Sequence, residues 1–170
     1  MLTGLIFLVV LTLLTLSAIK ATSLEERMAG NARDQDVAFQ AAEAAIRDAM
    51  VNVLPTLKTT DFVSASCANG LCLNSTTTPV WKTITTNNDW NSAKTRAYSG
   101  AALTMDGASP LPSQPRFIVE LLPEGSISGF SMAKGKGITS GSTVTPYRVT
   151  ARGWGLTTQA QATVQSAVNY

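Results

Sequence analysis

The chain has 170 residues and 17.9 kDa, with 14% charged and 45% apolar residues and a formal net charge of +2. It contains no histidine, which removes the most common general base and a frequent zinc ligand, and with them most hydrolase triads and zinc sites. The small net charge makes no case for a general nucleic-acid binder, so a catalytic or nucleic-acid role is the weaker expectation.

The first element is apolar. Leu2 to Ile19 is an unbroken uncharged run of 18 residues. As a helix at ~1.5 Å per residue it spans about 27 Å, just under the ~30 Å hydrocarbon core of a bilayer. Lys20 closes it and can snorkel to the interface. A cleavable signal peptide competes with this reading, but its apolar core runs about 7–15 residues behind a basic start. No Lys or Arg precedes the run here, and we expect a membrane helix over 1–20. The missing basic flank leaves orientation open under the positive-inside rule, and it is what a processed or truncated chain would show.

From Ala21 to Leu54 there is no proline, and Met28, Ala32, Gln35, Phe39, Ala42, Ile46, Ala49 and Val53 recur in steps of three and four. That spacing predicts an amphipathic helix over 21–54, stopped by Pro55. Glu43 and Arg47, four apart in the favoured order, add a few tenths of a kcal/mol. Gly30-Asn31 is the weak point, where helix propensity falls by about 1 kcal/mol against Ala. Two arrangements follow. One is a membrane span and an independent helix with a bend near Gly30. The other is a continuous spine of about 54 residues, on the order of 80 Å long. We expect the spine, because the amphipathic pattern starts without a linker.

Residues 55–170 are rich in turn formers and β-branched residues. Arg116 to Leu122 reads as a strand stopped by Pro123-Glu124-Gly125. Tyr147 to Arg152 alternates as a half-buried strand, with Gly153-Trp154-Gly155 as a tight turn and Thr157 to Val168 as the returning hairpin partner. Val80 to Ile84 is a shorter strand candidate, and Gly125 to Ser142 reads as a surface loop. An antiparallel sheet packed on the helix stripe would bury both. The expected class is α+β: a membrane half of the helix over 1–20, an amphipathic half over 21–54, and a β-rich head over 55–170.

Cys67 and Cys72 are the only cysteines. So close a pair around Asn69-Gly70, on an anchored head, reads as a local disulfide across a turn, worth about 2 kcal/mol in the chain-entropy model. A metal half-site would be two ligands short of four, and a redox pair would take the C-x-x-C form. A disulfide would place the head outside the cytoplasm.

Charge also separates. Residues 1–54 carry four basic and six acidic groups, and residues 55–170 nine and five. Lys94 and Arg96, with Lys134 and Lys136, could contact an anion or DNA. The alternative is solvated loop charge, favoured because no aromatic residues interleave with the lysines. Trp81, Trp90 and Trp154 are expected in core or loop packing. Thr85 to Ser92 offers oxygen ligands but lacks the spacing and terminal Glu of a calcium loop. Gly135 and Gly137 do not open a helix and so do not form a phosphate cradle. No catalytic residue, cofactor or metal is expected.

The segment TSLEERMAGNARDQDVAFQAAEAAIRDA, from Thr22 to Ala49, resembles the N-terminal signature of the PilX family of type IV pilus minor pilins. GLIFLVVLTLL resembles that family's membrane segment, and YRVTARGWG…TVQSAVNY its closing strands. The resemblance covers somewhat under half of the chain and leaves residues 55–145 without a match. It implies a pilin architecture, in which a long N-terminal helix is held in the inner membrane of a Gram-negative bacterium before assembly and carries a periplasmic head. It further implies a precursor whose short basic leader, ending in Gly, is removed by a prepilin peptidase that methylates the new amine. The register of Met1 within the mature chain stays open.

Most pilins carry a Glu near the fifth mature position, thought to neutralise a neighbour's amine, whereas no carboxylate occurs here from Met1 to Leu24. If the mature chain starts near Met1, such a Glu is lacking. A buried unpaired amine is costly, which places the subunit where no neighbour sits above it, at the filament tip. The resemblance thus implies a non-enzymatic minor pilin of a tip or initiation complex, acting with other minor pilins and the major pilin. It would help to display a PilY-type adhesin in adhesion and twitching motility.

Its helix would pack on partners through Phe7, Val10, Leu14, Phe39, Ile46 and Val53; for the last three, packing on the chain's own head is the alternative. Three other readings remain: a minor pseudopilin of a type II secretion system, a DNA-binding pilin, and an anchored periplasmic enzyme, for which no residues are found.

Overall fold

The computed structural model describes residues 1–63, 67–75, 78–105, 107, 109–123 and 145–169. One helix dominates it. α1, Leu2–Asp48, runs through Gly30 and Asn31 without a break, so the continuous spine is correct and the bend near Gly30 is not. The helical path loosens before Pro55 rather than stopping there. A π-helical turn, Ala49–Val53, and a 3₁₀ turn, Leu54–Thr56, carry it on, with the Leu54 N–H donating to the Ala49 carbonyl. Proline has no N–H for the carbonyl four residues back and its ring crowds that carbonyl; the wider π turn is the way this helix accommodates it. The path from Leu2 to Thr56 is 55 residues, on the order of 80 Å.

After α1 the elements are short until the sheet closes. They are β1 (Leu71–Leu73), α2 (Asn87–Trp90), β2 (Arg96–Ala97), and a small ribbon of β3 (Thr104–Met105) and β4 (Ser109–Pro110). Three longer strands follow: β5 (Arg116–Leu121), β6 (Pro146–Trp154) and β7 (Gln161–Asn169). The main sheet runs β1-β5-β6-β7, with β2 also paired to β5. β5, β6 and β7 are antiparallel, but β1 lies parallel to β5, so the sheet is mixed where an antiparallel one was expected. The architecture is α+β and pilin-like.

The sheet has two covered faces. Toward α1, Phe117, Val119, Tyr147, Val149 and Ala151 pack on Ala45, Ile46, Ala49 and Val53. On the other face Ile118 and Trp154 pack with Cys72, Val80, Ile84 and Trp90. Trp90 and Trp154 are buried, and Trp81 is half-buried.

Three sequence expectations need correction. Val80–Lys82 is a 3₁₀ turn, not a strand, because the Val80 N–H is taken by the Glu120 carboxylate at 2.8 Å instead of a ladder partner. Gly153 and Trp154 belong to β6, not to a turn, and β7 begins at Gln161, so Thr157–Gln159 form the connection. The helix stripe is also displaced. Ala42, Ile46, Ala49 and Val53 face the head as expected, but Met28, Ala32, Gln35 and Phe39 are exposed, and Asp34, Ala38, Ala41 and Ala45 are buried in their place. The head meets α1 through an alanine face, and alanine carries little weight in an apolar-periodicity count. The loop expected over Gly125 to Ser142 lies outside the described residues.

Candidate functional site

The candidate site is the surface of α1, together with the groups that fix α1 to the head. Residues 1–33 are exposed throughout, and none of them belongs to a core cluster of the described chain. Phe7 is 66% exposed, Val10 48% and Leu14 61%. An apolar surface of this kind is stable only when something outside the subunit covers it. Three of the hydroxyls within it are already satisfied. Thr12 donates to the Val9 carbonyl at 2.8 Å, Thr15 to the Leu11 and Thr12 carbonyls at 3.1 and 2.9 Å, and Thr22 to the Ala18 carbonyl at 3.1 Å. Such back-bonding lets a helix carry threonine into an apolar surrounding without an unpaired donor. By length and composition this helix could cross a membrane.

From Asp34 upward, two carboxylates clamp the helix. Asp34 accepts from the Thr157 N–H at 3.1 Å and the Thr157 hydroxyl at 2.5 Å, which ties α1 to the β6–β7 connection. Burial pushes its carboxyl up, but the bonds from the Thr157 hydroxyl and amide and the Leu156 amide outweigh burial and hold it below the ordinary carboxylate value. Asp48 accepts from the Ser99 N–H and hydroxyl at 2.8 and 2.7 Å and from the Asn52 side-chain amide at 2.7 Å. Burial again works upward. The Asn52 and Ser99 bonds and the Arg96 charge bring its carboxyl down in net.

Between the clamps the backbones touch. A methyl on Gly153 would overlap the Ala38 carbonyl oxygen and the Ala42 nitrogen, and one on Gly155 would overlap Asp34. Glycine in a strand is the usual mark of such a close backbone approach. These residues were missed in the sequence. The alternation Gly153-Trp154-Gly155, which sets two glycines on the same side of a strand, is the signal that could have found them.

The other face is held by charge. Glu120 is fully buried and takes a bidentate pair from Arg148, Nε to Oε2 at 2.8 Å and Nη2 to Oε1 at 3.0 Å. Cys67 and Cys72 form a disulfide. Its loop turns through positive φ at Cys67, Asn69 and Gly70, and a Cβ on Gly70 would also press on Arg96.

Of the four cations singled out in the sequence, Lys94 faces Asp89 at 3.8 Å and Arg96 lies in the field of Asp48. Lys134 and Lys136 lie outside the described residues. Thr85 to Ser92 is organised by a capping box, in which Thr86 and Asp89 cap α2 reciprocally. Among the assembly residues, Phe39 is 48% exposed, whereas Ile46 and Val53 are buried on the chain's own head. Ile46 and Val53 thus pack on the head, and the Phe39 ring does not.

A half-apolar, half-anchored N-terminal helix carrying an α+β head defines a pilin. Comparison with protein families agrees with this class. Residues 2–47 match the PilX N-terminal model, and residues 68–169 match the model of the type IV pilus assembly protein PilX C-terminal region. Together they cover most of the chain, and the protein belongs to the PilX family, structural minor pilins that act with other pilins in type IV pilus assembly. The second match also takes in much of residues 55–145, which the sequence resemblance had left unplaced. No curated protein and no solved structure matches the chain.

Proposed function

We propose that this minor pilin is a non-enzymatic subunit of the tip or initiation complex that primes pilus assembly and helps to display a PilY-type adhesin, and so serves adhesion and twitching motility. The observation that carries the reading is the exposed apolar helix. Over residues 1–32 the described part of the head leaves it exposed, so it needs a bilayer before assembly and the helices of other pilins afterwards. Phe7, Val10, Leu14 and Phe39 are the side chains available to those partners.

In this reading the helix sits in the inner membrane with the head in the periplasm, where the Cys67–Cys72 disulfide is at home. Prepilin peptidase cleavage and methylation would precede assembly. The pseudopilin alternative is disfavoured by the family match, and the DNA-binding alternative by the carboxylates beside Lys94 and Arg96. Deletion of the gene should reduce surface piliation and the incorporation of the other minor pilins. Unchanged piliation and incorporation would rule out the priming role.

A further inference from the structure

Among the described residues β7 ends the sheet on one side, and its nine residues, Gln161–Asn169, contain no charge, proline or glycine. Exposed edge strands usually carry a lysine, a proline or a bulge, or are kept short, because an open row of N–H and C=O groups templates pairing with another chain. β7 has none of these guards in its sequence. The ladder identifies which groups are open. The Gly155 N–H donates to the Ala160 carbonyl at 3.0 Å, one step beyond the Trp154–Gln161 pair of the β6–β7 register. Alternation along an antiparallel ladder then makes Ala162, Val164, Ser166 and Val168 the residues bonded to β6. The phase is confirmed at the other end, where Pro146, opposite Asn169, turns its carbonyl toward Leu122 instead. Thr163, Gln165, Ala167 and Asn169 therefore point their N–H and C=O outward, where they have no backbone partner among the described residues.

A groove of about 410 Å³ lies beside this edge, between α1 and β7. Ile46, Met50, Val51 and Val164 line it, with Glu43 and Arg47 at its rim. Val164 and Val168 pack toward the helix yet stay half-exposed, because no strand among the described residues flanks them. The groove continues the helix face that begins at Phe39, since Glu43, Ile46 and Met50 follow it in steps of four, three and four.

We propose that β7 is a docking edge that takes up an extended segment of a different protein as the next strand of the sheet; this rests on the pilus-assembly reading above and names a partner surface for it. The segment is uncharged over its paired length and has apolar side chains at alternate positions, which enter the groove against Ile46, Met50 and Val164.

A second copy of the chain paired through its own β7 does not fit. Two β7 strands paired antiparallel are related by a two-fold axis normal to the sheet, which reverses every direction in the sheet plane, including that of α1 lying on it. Helices anchored with one polarity in one bilayer cannot be so reversed. A parallel pair about a two-fold along the strand sets outward residues at the same height, where a parallel ladder needs them staggered.

Hydrogen–deuterium exchange over residues 161–169 tests this. The full chain alone in detergent, dilute and concentrated, is compared with the chain in isolated pilus assemblies. The amides of Thr163, Gln165, Ala167 and Asn169 are expected to slow by about tenfold or more, and only in the assembly. Ala167→Pro removes an outward N–H while sparing the β6 ladder, so it should keep the melting temperature and lose the protection at its neighbours. Ala167→Lys, with an unaltered backbone, serves as the second variant and should do the same.

Equal exchange in isolated and assembled chain overturns the proposal, as does protection that appears on concentrating the chain alone. If the edge stays unprotected while Phe39→Ala still abolishes incorporation, the edge proposal fails and the assembly reading stands. A chain missing from the pilus fraction overturns the assembly reading itself.

Discussion

The lower and upper parts of α1 obey opposite rules. Below Asp34 the helix carries large apolar side chains, such as Phe7, Leu14 and Met28, and every residue is exposed. Above it the buried face is mostly small, with Ala38, Ala41, Ala42, Ala45 and Ala49 against the sheet. A head that belongs to the same chain can be fitted once and closely, and small residues let α1 and β6 approach until only glycine fits at position 153. The large side chains are left exposed, and in the proposed reading they are what partners would meet, burying more area per contact. Residue size along this one helix thus separates the face packed on the head from the face left open.

Mutations should divide along the same line. The largest effect is expected at the sheet's charged pair. Arg148→Met leaves Glu120 buried without its partner and should cost about 3–5 kcal/mol, read as a fall in denaturation midpoint of the full chain in detergent. Gly153→Ala forces a methyl into the α1 backbone between Ala38 and Ala42, and about 3 kcal/mol of destabilisation is expected from such overpacking. A neutral outcome there would mean that helix and sheet are not in backbone contact.

Acid should act more gently and only on the upper part. The Asp34 and Asp48 carboxyls lie below the unperturbed value of 3.8 in the folded chain, so the unfolded chain binds protons first as the pH falls. Their stabilisation is present in full above that value and is lost as the pH drops through the lower folded values. A thermal scan should therefore be insensitive to these groups between about pH 5 and 7. The Asp34→Asn, Asp48→Asn double variant should show a shallower decline below pH 4 than the parent, because its amides do not titrate.

The smallest effect on stability belongs to the exposed face. Phe39→Ala removes an exposed ring and should change stability by no more than about 0.5 kcal/mol, yet in this account it weakens incorporation into the pilus. A large loss of stability with normal incorporation would reverse the assignment of the two faces.

Much of the fold was legible because its signals are strong and local. The uncharged run from Leu2 to Ile19, the proline-free period to Leu54, the strand at Arg116 and the Cys67–Cys72 turn each announce one element. What escaped notice depends on distant partners. Asp34 reads as a surface acid until Thr157, 123 positions away, is seen to donate to it. Gly153 and Gly155 read as a turn because nothing local shows that a helix backbone lies over them. The helix face was misplaced between 28 and 39 for a related reason: Met28 and Phe39 outweigh Ala38 and Ala41 in any count of hydrophobicity, although the alanines make the contact. Val80 read as a strand residue because its amide partner, Glu120, is 40 positions away.

The central claim is that the exposed face of α1, which runs on to Phe39, is open in the subunit and closed in the pilus. The chain's two cysteines are joined in the disulfide, so a Phe39→Cys variant presents a single thiol. Maleimide labelling of that thiol should be fast in the detergent-solubilised subunit and strongly suppressed in isolated pili. Equal labelling in both states would mean that this face stays open after assembly, and would contradict the account.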